Sequence, residues 1–481
     1  MNTSPPIVSI RSLGRYDPAE EAAGYVLSGL PGARDVESMP ESWKVVELLL
    51  RETLAPLGAA PGENPLSTVA PRGGTIAVKP NFVRHFNECP SAGPEAVVTS
   101  WTVLYPLIDM ALDCVGREGR VVLADAPMHD CVPERILERG CFRDVVAHYA
   151  RAGYDLCFID LRQESWRVTE GVIRDRVQLA GDPAGYVVCD LGTDSEFEGL
   201  GKALKRLRGT SFDDADTRSH HTPGRHEYLI SKTILLADLI LNVARLKTHG
   251  KIGITAATKN IVGINGNKNW LPHWRSGFPR YGGDQYSSMT VGRLFRYIVL
   301  SALWPFLRNG FVARIVSCIL GAVHRTGIRG LAGGGAWHGN DTTWRMVCDL
   351  NKALVYCDST GKVHPERMTR SILHIVDAVE AGQGEGPLGP EPVRVGFIGC
   401  STDPVMLDAA CMRLVGIDPS LVPYMVRASR VTRLPFTRSG GGSSMISIDG
   451  SFSQPDGIVS RARLSPPSGW HEMFAGEGDS D

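Results

Sequence analysis

The 481-residue sequence predicts an α/β fold, a mostly parallel, doubly wound sheet interrupted by a helical basic and apolar insertion. Three observations carry this reading. Short apolar runs rich in β-branched residues alternate with segments of helical periodicity. Polar or charged residues stand just past the ends of those apolar runs, at the edge where open parallel sheets bind ligands. One long segment departs from both patterns: Gln285 to Asn340 contains six arginines and neither Asp nor Glu.

Each element follows in order. "GTIAVKPNFV" (74–83) reads as a strand running into a loop. "PEAVVTSWTVLYPLIDMALDCVG" (94–116) has apolar residues at helical spacing, and "GRVVLADAP" (119–127) is again a strand. Strand, helix and strand make a βαβ unit with parallel strands. "RILERGCFRDVVAHYARAG" predicts one helix and "YDLCFIDL" a further strand. "TILLADLILNVARLKTH" (233–249) supplies a buried strand at 238–243, and "ILHIVDAV" another. "VRVGFIGCSTDPVMLDAACMRLVG" (393–416) gives a late strand, turn and helix, the helix opening at Asp403-Pro404. The predicted organisation is an α/β domain over 1–284, the insertion over 285–338, the rest of the α/β domain over 339–436, and a partly disordered Gly/Ser-rich tail over 437–481.

Composition narrows the function classes. Net charge is −1 with 43% hydrophobic and 21% charged residues, so bulk charge does not call for nucleic acid. Eleven scattered cysteines include no C-x-x-C pair, which argues against a zinc ribbon or iron–sulfur cluster and fits reduced cytosolic thiols. "MNTSPPIVSI" lacks a basic stretch followed by an apolar one, so no secretory signal is read and a cytoplasmic protein is expected.

The strongest chemical signal is "LNVARLKTHGKIGITAATKNIVGINGNKNWLPHWRSGFPRYGGDQY" (241–286). Lys247, His249, Lys251, Lys259, Lys268 and His273 fall here beside Asn260, and no acid stands between Asp238 and Asp284. The reading puts Lys247, His249 and Lys251 in a loop and starts a helix near Gly253 that carries Lys259 and Asn260. A helix N-terminus beside lysines suits a phosphate or carboxylate. His249 is the candidate acid/base, with Lys247, Lys259 and Asp125 as further catalytic candidates. Lys79 and Asn81 in "VKPN" and Asn260, Lys268 and His273 are candidate ligand contacts. Trp270 and Trp274 offer flat faces for a sugar or base; the bland alternative is an aromatic cluster that pins a long loop. "EAGQGEGPLGPEP" (380–392) is read as a Gly-rich loop in which Gly384 and Gly386 let backbone amides approach an anion. "SHHTPGRHE" (219–227) groups His220, His221 and His226; a metal cluster is one reading, and an exposed polar loop is the preferred one.

Taken together, "VKPNF", "VLADAP", "LLADLILNVARLKTHGKIGITAATKNIVG" and "IVDAVEAGQGEGPLGPEPVRVGFIGCSTDPVMLDAACMRLVGIDP" resemble the domain of unknown function 362 family. Carried over by position, the resemblance marks Lys79, Asn81, Asp125, Lys247, His249, Lys259, Asn260, Gly384, Gly386, Asp403 and Asp408. It implies a subgroup without the ferredoxin-like cluster segment that many relatives append. Asp403 and Asp408 are candidate ligands of a divalent cation such as Mg²⁺, which favours carboxylate oxygens.

The expected function is an enzyme acting on an anionic small molecule such as a sugar phosphate, nucleotide sugar or sugar acid. Alternatives are a non-catalytic sugar- or polymer-binding accessory protein at a membrane surface, and a redox protein related to iron–sulfur relatives. For 285–338, with apolar runs "YIVLSALWPFL" and "IVSCILGAV" too short to span a bilayer, the expected partner is an anionic membrane surface or a second copy of the chain.

Overall fold

The computed structural model describes residues 8–12, 41–60, 62–169, 172–209, 214–303, 334–431, 433–437 and 446–471. Its centre is a ten-stranded sheet. We number the strands β1 (Val8–Ser12), β2 (Thr75–Lys79), β3 (Arg120–Asp125), β4 (Asp155–Asp160), β5 (Leu239–His249), β6 (Gly253–Thr255), β7 (Ile372–Glu385), β8 (Gly389–Ser401), β9 (Ile446–Ile448) and β10 (Ser451–Ser453). Their spatial order is β10-β9-β1-β8-β7-β5-β2-β3-β4, with β6 folded back on β5. The five strands from β7 to β4 are mutually parallel, whereas β8 returns antiparallel to β7 and to β1.

The topology has a reversal. The chain lays β2, β3 and β4 side by side toward one edge, then returns to place β5 on the far side of β2 and β7 beyond it. That switch between β2 and β5 is where carboxyl-terminal strand ends part to leave a crevice.

Both sheet faces are covered. Helices α1 (Glu41–Leu54), α2 (Trp101–Val115), α3 (Pro133–Arg139) and α4 (Phe142–Arg151) lie on one side. There Leu50, Leu104 and Val145 pack with Val78, Leu241 and Ile375 of the sheet. On the other side lie α5 (Ala257–Asn260), α7 (Thr343–Tyr356), α8 (Pro404–Leu414) and α9 (Pro423–Ala428); α6 (Val291–Leu303) lies outside both layers. There Trp344, Leu407 and Tyr424 pack with Ala77, Ala244 and Val376. A strand covered on both faces has no reason to alternate polar and apolar residues, which is why β5 is buried along its whole length.

Several sequence expectations change. The predicted helix over 94–116 begins only at Trp101, where the Ser100 hydroxyl caps the Thr102 N–H. The single helix expected in "RILERGCFRDVVAHYARAG" is two, α3 and α4. Gly140 lies flat on Trp101, and Cys141 adopts φ 52°, so the helical path bends there. The expected glycine-rich loop at 380–392 is the β7–β8 hairpin, paired as far as Glu385 with Gly389. The presumed tail departs most: β9 pairs with β1, and Trp470 is fully buried against Gly253 with its indole N–H on the Gly250 carbonyl, 2.8 Å. Of the insertion, α6 and residues from Gly334 onward are described; the second apolar run at 315–323 lies outside the described residues.

Candidate functional site

The ends of β2, β3 and β5 bring the predicted residues to the switch point, but with different roles. Lys79 and Asp125 end adjacent parallel strands and form a buried ion pair, Nζ to Oδ1 2.8 Å. Lys79 also donates to the Pro80 carbonyl, and Asp125 Oδ2 accepts the Phe82 N–H. Burial pulls the Lys79 pKa down while Asp125 opposes it. Gly263 closes over the pair: a methyl group there would stand 2.0 Å from Asp125 Oδ1. The pair is thus walled in, and Asp125 orients Lys79, neither Lys247 nor Lys259.

Lys247 and His249 lie on β5 itself and not in a loop, because β5 continues to His249 and turns into β6. The Lys247 ammonium points inward. It donates to Asn81 Oδ1 at 2.6 Å and to the Val97 carbonyl. Burial, followed by repulsion from Arg245 and Lys259, holds its pKa well below the ordinary lysine value. Asn81 Nδ2 donates to Asn260 Oδ1 (2.8 Å), Asn260 Nδ2 to Asn242 Oδ1 (2.8 Å), and Asn242 Nδ2 to His374 Nδ1 (2.9 Å). These amides satisfy one another in a buried chain that clamps β2, β5, α5 and β7 together. Asn81 and Asn260, expected as ligand contacts, spend these hydrogen bonds on holding the elements together. Asn242 and His374, which sequence reading missed, share a register position on β5 and β7. Two polar residues mid-way along apolar strands were the available signal.

The expected helix at Gly253 is the strand β6, and α5 starts at Ala257. Its first amides are not free for an anion. Asp408 accepts Ala257 N–H at 2.7 Å, Thr258 N–H at 3.1 Å and the Tyr424 hydroxyl at 2.9 Å. Burial lifts the Asp408 pKa to about 6 against these bonds. Asp403 caps α8 by accepting from Val405 and Met406 N–H, and it also takes the Thr437 hydroxyl. Both carboxylates, expected as cation ligands, are engaged in holding helix ends, Asp403 at the start of α8 and Asp408 at the start of α5, and they face different partners. Among the described residues no group of three or more His, Cys, Asp or Glu side chains could hold a metal ion.

Gly384 and Gly386 also differ from expectation. They present carbonyls, not amides, to β5: Gly386 O accepts Gly250 N–H and Gly384 O accepts the Thr248 hydroxyl. Gly386 packs so closely that a Cβ would meet the Thr248 carbonyl at 1.9 Å. They fix the β5 end in place.

What remains open to a ligand is a smaller set. Lys259, carried by α5, is partly open to solvent and has no hydrogen-bond or ion-pair partner among the described residues. Burial, then repulsion from Lys79, brings its pKa down to about 8. Lys268 reaches only the Val262 carbonyl, at 3.5 Å, and is pushed down to about 7, mainly by burial. Lys251 donates to the Gly334 carbonyl, lies 5.0 Å from the centre of the Trp274 ring, and is pushed down to about 8 by burial.

The two histidines have complementary tautomers. His249 Nδ1 accepts the Lys251 N–H at 3.1 Å, so a neutral ring carries its proton on Nε2. His273 Nδ1 donates to the Leu271 carbonyl at 2.8 Å, which leaves Nε2 as the acceptor. Both stay neutral near pH 7. Burial and then the Lys259 charge hold His249 well below its usual value and His273 at about 3. A neutral His249 therefore offers an N–H donor at Nε2, and a neutral His273 offers an acceptor at Nε2.

The aromatic residues divide. Trp270 stacks on His220 with ring centres 3.4 Å apart and serves as internal packing, while Trp274 faces Lys251. His220 pairs with Glu227 in a strand-turn-strand that buries His221 and His226, so "SHHTPGRHE" is not an exposed loop. His221 bonds the Trp270 carbonyl and so anchors the loop bearing Lys268 and His273.

Comparison with known proteins adds the family. A family model described as "Domain of unknown function (DUF362)" matches residues 172–413, a span that runs from before β5 through α8. None of the curated proteins matches the chain. Among solved structures, the crystal structure of a protein from Thermotoga maritima is similar at 10% identity and a TM-score of 0.28, over 73% of this chain and 54% of that one. The chain therefore spans about half the length of that structure.

Proposed function

The chain belongs to the domain of unknown function 362 family, and on that premise we propose that it is an enzyme acting on a small anionic molecule at the β2–β5 switch point. One observation carries the proposal: Lys259 presents a partly buried ammonium with no hydrogen-bond or ion-pair partner among the described residues. A buried unpaired charge is costly, and a bound anion is what relieves it. Lys268 and Lys251, each bonded to a backbone carbonyl, add further positive charge. The neutral pair His249 and His273 supports chemistry beyond binding, since one ring donates a hydrogen bond and the other accepts one. A substrate with a carboxylate or phosphate and an adjacent hydroxyl or carbonyl, as sugar acids and sugar phosphates have, matches this set of donors and acceptors.

The test is a binding and turnover screen of the full chain against inorganic phosphate, sugar phosphates, nucleotide sugars and sugar acids. Calorimetry reports affinity, and proton NMR of each mixture reports conversion. The proposal expects at least one anion to bind and to be converted, with Lys259→Met losing the binding. Binding without conversion across the set favours the accessory-protein reading. Binding that Lys259→Met leaves intact moves the site elsewhere.

A further inference from the structure

Helix α6 is inside out. Its apolar residues Val291, Phe295 and Ile298 are 89%, 68% and 57% exposed, and they recur at the i, i+4, i+7 spacing of a single helix face. Leu294 and Val299 flank the stripe and are exposed as well. The side that carries Tyr297 turns toward the protein. Tyr297 meets Phe278 edge-on at 5.8 Å and its hydroxyl lies 3.4 Å from Arg206 Nη1. Arg293 donates back to Ser287 and Ser288, the residues that lead into the helix. A helix anchored through Tyr297, with Phe295 and Ile298 exposed, is arranged to give its apolar face to something else.

The sequence around the helix selects the partner. Gln285 to Asn340 carries six arginines and no acid. Two of these, Arg293 and Arg296, stand on α6 itself, and a two-fold contact through the helix would bring their charge against its own image, which opposes self-association. An anionic surface has the opposite sign. The helix spans 13 residues, roughly 20 Å, too short to cross a bilayer but long enough to lie in its interface. We propose that α6 docks the protein on an anionic lipid bilayer, with Val291, Phe295 and Ile298 entering the acyl boundary. The inference is independent of the anion site at the switch point.

Vesicle flotation of the full chain tests it. The wild type should float with vesicles of phosphatidylcholine containing about one third phosphatidylglycerol and not with phosphatidylcholine alone. Raising NaCl from about 0.05 to about 0.5 M should cut the bound fraction by about tenfold, because the Debye length shrinks. Phe295→Ser combined with Ile298→Ser should lower binding by about tenfold or more, and Val291→Glu should lower it too without unfolding so exposed a position. Four results would each overturn the proposal. These are no flotation of the wild type, equal flotation with neutral lipid, a wild-type dimer that the double variant makes monomeric, and a lower urea midpoint for the double variant that reveals a face already covered by the chain itself.

Discussion

Replacing Lys259 by Met should make the protein more stable and its ligand binding weaker. In the folded chain the Lys259 pKa falls from 10.5 to about 8, chiefly through burial. Each pKa unit corresponds to about 1.4 kcal/mol, so holding the ammonium charged in the fold costs up to about 3 kcal/mol relative to the unfolded chain. The side chain is partly open to solvent, which reduces the realised penalty to about 1–2 kcal/mol. Methionine keeps the length and removes the charge. Urea unfolding at pH 7 without ligand should therefore report a gain of about 1–2 kcal/mol. The sign with pH follows. Because the folded pKa is lowered, the unfolded chain binds more protons between pH 8 and 10.5, so wild-type stability rises across that window. The penalty is full below pH 8, and the variant should lack this lysine's share of the rise. In the same variant, loss of one charge-assisted hydrogen bond, about 1.5–3 kcal/mol, should weaken anion binding by roughly ten- to a hundredfold. A Lys259→Met protein less stable than wild type by about 1 kcal/mol or more would refute the reasoning, since the ammonium would then have an internal partner. So would an unchanged anion affinity.

The remaining predictions concern the same region. Anion affinity should fall between pH 7 and 9 as Lys268 (about 7), then Lys259 and Lys251 (about 8), lose their protons; calorimetry at constant ionic strength that finds flat affinity would remove these lysines from the site. Nitrogen-15 NMR of His249 should report a neutral ring protonated on Nε2 from pH 6 to 8, whereas His273 should carry its proton on Nδ1; the opposite assignment would exchange the donor and acceptor roles of the two rings. Asp408→Ala should cost about 2–4 kcal/mol by orphaning two amides and the Tyr424 hydroxyl, and divalent-cation binding by calorimetry should not change; weakened cation binding would reinstate Asp408 as a ligand. Acid should destabilise the fold as pH drops from 6.5 toward 3. His221, His273 and His374 are each pushed down to about 3, so the unfolded chain takes up protons first; unfolding free energy independent of pH across that window would contradict their burial as neutral rings.

Much of the fold was legible because its signals are local. Apolar β-branched runs at 75–79, 120–125, 155–160 and 239–243 declare strands wherever they sit, and the helical spacing between them makes the connections parallel. The same logic placed Lys79, Asp125, Lys247 and His249 at one edge of the sheet. What each does there was not legible, since a side chain takes its direction from partners far away in sequence. Lys247 and Lys259 look alike in the sequence, yet Lys247 is turned inward by Asn81, 166 residues away, while Lys259 is left without a partner among the described residues. Asp408 reads as a cation ligand until α8 packs on α5 and delivers it to two amides 151 and 150 residues distant. Trp470, in a segment whose composition suggests disorder, is buried only because Gly253 leaves room for an indole. The sequence by itself determined the parallel strands, the sheet edge where Lys79, Asp125, Lys247 and His249 stand, and the positive sign of that edge. The tertiary structure decided which of those charges are spent on the fold and which stay without a partner among the described residues, because a buried charge or amide must be satisfied by whichever partner the packing brings within hydrogen-bond reach.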